Sequence, residues 1–347
     1  MSVRLRPEIQ ALPWRAGLKA GESLPFAGES SAGDPSMLNV CPSSRGKPVW
    51  VDLFNPTPEE MSQVESEWHL HVPSQHELEE IESSSRLSAR NGEIHLNMSV
   101  VAHDNEEAPT ALGFVLTRLV LLTIRFTRLH GFDLAIERFN RGEAAETSSE
   151  VFATLIEGIT DYAADALEHI GVEVVGVSRR VFHNYGSKRP RNTARANRAL
   201  REILVDVGVC GEKLSQIRES LLGLQRIVPY ALDNSKDWIA AEVTERLHTA
   251  TQDLQSLVEF EIHLSNKAQF LLDAVLGFIN TEQNDIFKVL TIVSVVGIPP
   301  TLIASMYGMN FQYMPELHWH FGYAWGLGLI FLSAILPTIW FKWRGWW

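Results

Sequence analysis

Amide and hydroxyl side chains recur at helical spacing through the apolar C-terminal part of this 347-residue chain. Such groups hydrogen-bond to water or to a neighbouring helix. Because polar groups in a lipid-crossing helix are costly unless they face water or protein, we interpret the face as lining a wet lumen. Hydrogen bonding between helices is the alternative for any single Ser or Thr. We call this face the polar stripe, and steps of about 3.6 residues assign to it Asp273, Gly277, Asn280, Asn284, Phe287, Thr291, Ser294, Ile298, Thr301 and Ser305.

The segment that carries most of the polar stripe is long and apolar enough to cross a membrane. No Lys or Arg occurs between Val289 and Phe341, and Glu316 is the only acidic residue there. Glu316 separates two apolar stretches, 287–306 and 321–341, each near the ~20 helical residues that span ~30 Å of hydrocarbon. We predict two transmembrane helices joined by a loop at 307–320, with buried core helices as the alternative.

Basic residues flank the two predicted spans on one side only. Lys288 precedes the first span, Lys342 and Arg344 follow the second, and the loop between them has no basic residue. The positive-inside rule therefore predicts a multi-pass protein of the inner or plasma membrane with both termini in the cytoplasm. The loop then faces outward, and residues 342–347 form a basic, aromatic cytoplasmic end.

Composition narrows the classes of function. The chain has 30 Lys and Arg against 42 Asp and Glu, a net charge of −12, which disfavours nucleic acid as a partner and favours cations. Cys41 and Cys210 are the only cysteines, too few for a disulfide framework. The sequence has no Walker motif and no convincing catalytic His, Ser and Asp set, so we expect neither an enzyme nor a bound prosthetic cofactor.

The N-terminal half is predicted to consist of a tail followed by a folded domain. Residues 1–48 are rich in Gly, Ser and Pro, which predicts a mobile cytoplasmic tail. From Val49 onward, strand patterns at 49–54, 93–103 and 112–126 alternate with helix starts at Thr57 and Ser74 that carry capping boxes. We expect an α/β cytoplasmic domain over 49–147.

Helical patterns occupy the chain from residue 148 to the first span. A break near 186–190 predicts a helical hairpin over 148–228, and Pro229 is expected to separate it from a third helix over 230–306. No proline lies between Pro229 and Pro299, so this stalk helix should be ~100 Å long and run directly into the membrane at about residue 287. A helix of this length needs packing partners, and self-association around an axis would create a central path.

The loop after the first span carries the sequence Tyr307-Gly308-Met309-Asn310, followed by Met314-Pro315-Glu316-Leu317. From Val49 to its end the chain resembles the CorA-type divalent-cation transporters, which have YGMN at the end of the first of two spans. The resemblance implies a CorA-like homopentameric funnel: an α/β cytoplasmic domain, a long stalk helix and two C-terminal transmembrane helices. It assigns Gly308, Met309 and Asn310 to the outer mouth, and Asp273, Asn284, Phe287, Leu290 and Thr301 to the pore.

The resemblance also implies the transported ion. It indicates uptake of Mg²⁺, with Co²⁺ or Ni²⁺ as further ions, driven by the membrane potential. Asn310 would bind the ion through its hydration shell. Glu316, alone in the outer loop, would attract cations or cap loop backbone. Phe287 departs from the family, which often has Met there, and Thr249 offers no carboxylate for a regulatory Mg²⁺ site.

Two alternatives belong beside this interpretation. A zinc transporter of the same superfamily is the first, and the absence of Cys and His from both spans disfavours it. A two-span sensor or scaffold that conducts nothing is the second. The polar stripe argues against it, because a simple anchor has no use for polar groups within the membrane.

Overall fold

A computed structural model describes residues 24–25, 37–43, 47–80, 86–101, 109–141, 145–186, 193–310 and 314–346. The chain divides into two compact units. The first unit contains residues 1–177 and 206–269, and the second contains residues 178–205 and 270–347. Most of the N-terminal tail expected from the sequence, at 1–23, 26–36 and 44–46, lies outside the described residues.

The first unit contains a seven-stranded sheet in the order β1-β2-β3-β7-β6-β5-β4. β3 and β7 pair in parallel, and the other neighbours are antiparallel. The strands are β1 Leu24–Pro25, β2 Met37–Pro42, β3 Pro48–Phe54, β4 Leu87–Arg90, β5 Glu93–Val100, β6 Thr110–Leu116 and β7 Leu121–Arg125. Three helices accompany them: α1 Pro58–Trp68, α2 Gln75–Leu78 and α3 His130–Asn140.

Both expected capping boxes start helices of this unit. The Thr57 hydroxyl accepts from the Glu60 amide at 3.3 Å, and the Glu60 carboxylate accepts from the Thr57 amide at 2.8 Å. Ser74 and Glu77 make the same reciprocal pair at the start of α2. Each pair satisfies amides that the first helical turn leaves without partners, so both boxes are confirmed.

The sheet has an apolar layer on each face. On one face, Val51, Leu122 and Ile124 form a cluster with Val64 of α1 and Leu78 of α2. On the other face the layer is aromatic: Trp50 lies 6.0 Å from Phe132, and Phe114 lies 5.5 Å edge-on to Phe152, between ring centroids. Side chains alternate across a strand, so both faces must be covered when successive residues are apolar.

A buried ion pair joins the two parallel central strands. Arg125 donates from Nη2 to Asp52 Oδ2 at 3.0 Å, and Asp52 is fully buried. The Thr123 hydroxyl donates to Asp52 Oδ1 at 2.8 Å and accepts from the Trp50 indole at 3.0 Å. The guanidinium also lies 4.9 Å from the ring centroid of Phe54. The buried charges of Asp52 and Arg125 therefore have polar and aromatic partners among the described residues.

Long helices follow the sheet: α4 Ser148–Gly186, α5 Thr193–Ser235 and α6 Ala241–Tyr307. Ion pairs connect them within the first unit. Arg246 of α6 binds Glu157 of α4 with a nitrogen–oxygen distance of 2.6 Å, and Lys213 of α5 binds Glu173 of α4 at 3.3 Å. These pairs are half-exposed, so they set the pairing of the helices more than they stabilise it.

The seam of α6 in the first unit follows a heptad, because its buried positions alternate by four and three residues. One of them is Glu261, which is fully buried, accepts from Ser265 at 2.6 Å and faces Arg218 of α5 at 3.5 Å. A single charged residue in an otherwise apolar seam favours one register of the two helices. The seam includes Val243, Leu247, Ala250, Leu254, Glu261, Leu264 and Ala268.

Part of the expected tail is a strand. β2 at Met37–Pro42 pairs with β3 throughout its length, so the expectation of a mobile tail is wrong for these residues. Asn39 and Cys41 point inward and are buried, and burial, with Asp52 nearby, raises the pKa of the Cys41 thiol to about 12. A short strand flanked by Gly and Ser has too weak a pattern of its own, and the ladder with β3 is what orders it.

Two helix and strand boundaries also differ from expectation. α5 continues through Pro229 to Ser235, where we expected a break at 229. Burial of Ile227, Val228 and Ala231 around the proline offsets the lost backbone hydrogen bond. The apolar stretch 112–126 forms two strands with a turn between them. In this turn the Thr117 hydroxyl accepts hydrogen bonds from the amides of Leu119 and Val120, and the chain reverses its direction.

Replacing Arg125 with Leu should destabilise the sheet domain by about 3–5 kcal/mol, because the Asp52 carboxylate would stay buried without its partner. Hydrogen exchange of the β3 and β7 amides across a urea series, on the full chain in detergent, measures the loss. Arg141→Ala is the matched control: its pair with Glu137 is exposed, and the expected loss is under about 1 kcal/mol. Equal losses for the two variants would contradict this assignment.

Candidate ion-conducting site

Two helices of the second unit are long and apolar enough to cross a membrane: α6, and α7 at Gly322–Trp343. The apolar end of α6 is largely uncovered by its own chain, with Val289, Val293 and Leu302 each at least 60% exposed. An apolar surface of this extent requires lipid or further protein against it. The two spans expected from the sequence are therefore present as helices of suitable length.

The structure places the polar stripe on the uncovered side of α6. Phe287, Leu290 and Ile298 are 60–63% exposed. Ser294 is half-buried, and the stripe's other polar positions that the sequence assigned are exposed: Asp273, Asn280, Asn284, Thr291, Thr301 and Ser305.

The opposite side of the same helix is the one that the chain covers. Half-buried residues recur there at intervals of four and three: Ile292, Val296, Pro299, Ile303 and Tyr307. At about 100° of rotation per residue, these positions lie roughly 180° from the centre of the polar stripe. At the end of this face, the Tyr307 ring stands 3.8 Å from where a Cβ on Gly326 of α7 would be. α6 thus contacts α7 through its covered face, and the polar stripe on the opposite side stays free of this contact.

The threonine hydroxyls of the stripe donate to their own helix. Thr291 donates to the carbonyl of Phe287 at 2.7 Å, and Thr301 donates to the carbonyl of Ile298 at 2.8 Å. A hydroxyl has one proton and two lone pairs, so a committed proton leaves the oxygen as an acceptor. The side chains consequently present acceptors outward, which suits the hydrogen atoms of a cation's water shell.

The outer mouth expected from the sequence lies where α6 ends. The Gly308 amide bonds to the carbonyl of Ala304 at 3.0 Å, and the Met309 amide bonds to the carbonyl of Met306 at 3.3 Å. Asn310 follows this last turn and is exposed, as are Gly308 and Met309. The carboxamide of Asn310 therefore stands at the end of the helix that carries the polar stripe.

A short 3₁₀ helix at Pro315–His318 leads to α7. Within the described residues, the exposed side chain of Glu316 makes no hydrogen bond or ion pair, which leaves it available to cations. Its backbone carbonyl has a different role: it accepts from the Trp319 amide at 3.3 Å, and a Cβ on Gly322 would collide with it. Phe311, Gln312 and Tyr313 lie outside the described residues.

Acidic side chains also gather in the first unit. Partial burial, followed by the carboxylates of Glu157, Asp165 and Asp253, raises the pKa of Asp161. No group of three or more His, Cys, Asp or Glu in the described part of the chain is arranged to hold a metal ion. The four-residue spacing of Glu157, Asp161 and Asp165 on α4 is visible in the sequence, whereas the approach of Asp253 from α6 is not.

Comparison with known proteins decides the family. The model of the family described as CorA-like Mg²⁺ transporter protein matches residues 45–343. The chain belongs to this family. The magnesium transport protein CorA of Wolinella succinogenes is 32% identical over 316 residues, covering 88% of this chain and 93% of that one. Its counterpart in Salmonella typhimurium is 31% identical over 305 residues, covering 86% and 92%.

A solved structure supports the CorA fold. The complete CorA magnesium transporter from Methanocaldococcus jannaschii aligns with a TM-score of 0.67 at 18% identity, covering 86% of this chain and 91% of that one. The expected fold class, an α/β N-terminal domain with a long helix and two C-terminal spans, is confirmed. Family membership makes the protein a Mg²⁺ transporter of the membrane and not an enzyme.

The contact between Tyr307 and Gly326 is a feature that sequence reasoning missed. Its only signal was the glycines at 322, 326 and 328, every second or fourth residue of the second span. At 3.8 Å, a Cβ on Gly326 would make ordinary van der Waals contact with the Tyr307 ring, whereas a larger side chain would displace it.

Gly326→Ala should therefore retain normal Mg²⁺ uptake, and Gly326→Leu should lower both uptake and the stability of the folded protein, the latter by about 1–3 kcal/mol through overpacking. Gly328→Leu is the control, because nothing in the described chain lies within 4 Å of a Cβ at that position. Uptake into proteoliposomes and thermal unfolding in detergent, on the same preparation, test this. Equal effects of the two Leu variants would show that the Tyr307 contact has no special role.

Proposed function

We propose that this protein is a homopentameric channel for Mg²⁺ uptake, in which the polar stripe of five α6 helices lines the pore. The observation that carries the proposal is the exposure of the stripe on the side of α6 opposite the covered face. In a bilayer, polar side chains on that side need water or another subunit. A ring of copies supplies both, since each stripe then faces a shared axis.

The residues at the outer end would select the ion. Mg²⁺ loses its water shell reluctantly and prefers oxygen acceptors around it. Asn310 carboxamides from several copies would accept from those waters, with Gly308 and Met309 forming the rest of the mouth. Glu316, exposed in the same loop, would raise the local concentration of cations before they enter.

The inner half of the stripe would close the pore. Phe287 and Leu290 are large, apolar and exposed, and a ring of such side chains can expel water from a narrow lumen. Asn280 and Asn284 precede this constriction, and Thr291, Ser294, Thr301 and Ser305 follow it toward the mouth. Asp273, at the cytoplasmic beginning of the stripe, would meet the ion last.

The membrane potential would supply the driving force. Moving one charge across 100 mV is worth ~2.3 kcal/mol, and a divalent ion gains about twice that amount. With both termini in the cytoplasm of a cell whose inner or plasma membrane is negative inside, the ion moves inward. Co²⁺ and Ni²⁺, which also carry octahedral water shells, would follow the same path. No site for an energy-supplying nucleotide is needed.

Proteoliposomes loaded with a fluorescent indicator test the function. Wild-type protein should admit Mg²⁺, and Co²⁺ or Ni²⁺, faster when the interior is negative. Asn310→Ala should reduce this flux at least about tenfold, since a hydrogen bond to a charged partner is worth ~1.5–3 kcal/mol. The oligomer should stay assembled, because Asn310 is exposed at the end of α6.

His318→Ala is the control for the loop, because His318 is exposed and lies outside the mouth. Unchanged flux in an assembled Asn310→Ala pentamer would refute the role of the mouth. Preference for Zn²⁺ over Mg²⁺ would instead favour the zinc-transporting branch. A native mass spectrum with another number of subunits would refute the pentamer, and absence of flux of any ion would favour the non-conducting alternative.

Phe287→Ser and Leu290→Ser should each widen and wet the inner constriction and increase cation leak, most clearly when internal Mg²⁺ is high. Val293→Ser is the matched control, because Val293 is equally exposed but lies off the stripe. Flux per assembled pentamer and oligomer stability are measured together. If Phe287 only packs between helices, its shortening lowers stability without raising the flux per pentamer. That result for both variants would rule out the gate.

A further inference from the structure

The last two turns of α7 contain an apolar groove that the proposed pore does not use. The groove is shallow and open, with a volume of about 600 Å³, and its lining is almost entirely apolar. Pro337 breaks the regular helix surface there, because its ring replaces an amide proton. The groove is lined by Leu336, Pro337, Ile339, Trp340 and Trp343.

The chain beyond the groove folds back onto the end of α7. Gly345 adopts a φ of 72°, and the Trp346 amide then bonds to the carbonyl of Phe341 at 3.1 Å. This left-handed turn is the usual way to end a helix, and glycine adopts it without strain. Phe341 is 2% exposed and lies 5.3 Å from the Trp346 ring, between centroids. The helix next to the groove therefore has a defined end.

Two cations lie next to the lining residues of the groove in the chain. Lys342 and Arg344 are exposed, and the Arg344 guanidinium lies 5.3 Å from the centroid of the Trp340 ring. Neither makes an ion pair with any residue that the structure describes. From Glu316 to the end, the sequence has no further acidic residue, so α7 itself supplies no counter-charge. A ligand that matches this end must be apolar along one part and anionic at the other.

We propose that this groove binds an anionic phospholipid, with an acyl chain along Ile339 and Trp340 and the phosphate at Lys342 and Arg344. Trp, Lys and Arg at the end of a span lie at the level of the lipid headgroups. A second copy of α7 is the weaker candidate, because it would bring the same two cations to the same depth. Each basic side chain near anionic lipid should contribute about fivefold to the affinity.

Tryptophan quenching by brominated lipid tests the proposal on the full chain in nanodiscs. Bromines are placed on the acyl chains of either phosphatidylglycerol or phosphatidylcholine, at the same low mole fraction. Subtracting the signal of Trp340→Phe/Trp343→Phe isolates the two indoles that line the groove. Brominated phosphatidylglycerol should quench them several-fold more than brominated phosphatidylcholine.

Lys342→Gln/Arg344→Gln should abolish this preference, since both side chains are exposed and neither lines the groove. Lys288→Gln is the control, because Lys288 is paired with Asp285 at 2.8 Å and lies on the other span. Equal quenching by the two lipids, or a preference that survives the double substitution, would overturn the proposal. Failure of both lipids to quench would also overturn it and would show that a second subunit fills the groove.

Discussion

A polar face on a helix that crosses lipid cannot remain against hydrocarbon, and this constraint governs the arrangement of the whole transporter. Within one chain, α6 turns the apolar residues Ile292, Val296 and Ile303 toward the covered side. The polar residues Asn284, Thr291 and Thr301 point away from that side and are left uncovered. The energetic cost of those polar groups is the reason why we propose that several chains assemble around water.

The rest of the molecule holds α6 in a defined rotation about its axis. A helix of 67 residues has many nearly equivalent registers against its neighbours, because apolar seams slide with little penalty. Glu261 removes that degeneracy, since its buried carboxylate meets Arg218 of α5 in one register only. The pair is a poor source of stability, because burying charge is costly. The pair instead specifies which side of α6 packs against α5.

Sequence reasoning succeeded where a single residue pattern determines the structure. The two capping boxes follow from local spacing and were found as expected. The first span was expected to end at residue 306, and α6 ends at Tyr307. The role of the polar stripe as a pore lining stays a prediction. Sequence reasoning failed where a distant partner decides. β2 exists because β3 pairs with it, and Pro229 stays inside α5 because buried neighbours outweigh its missing amide. The Tyr307 contact with Gly326 and the approach of Asp253 to Asp161 join segments whose proximity no spacing rule reveals.

The chemistry of the stripe beyond Asp273 has a consequence for protons. From Asn280 to Asn310 its side chains are amides, hydroxyls and hydrocarbon, and none of them gains or loses a proton between about pH 5 and 9. An ion that follows this route meets walls of constant charge, whatever the acidity on either side. A carrier that exchanges protons for metal needs a carboxylate or an imidazole to relay them. The proposed route has neither, so we expect the cation's own two charges to be the only charge that one passage transfers.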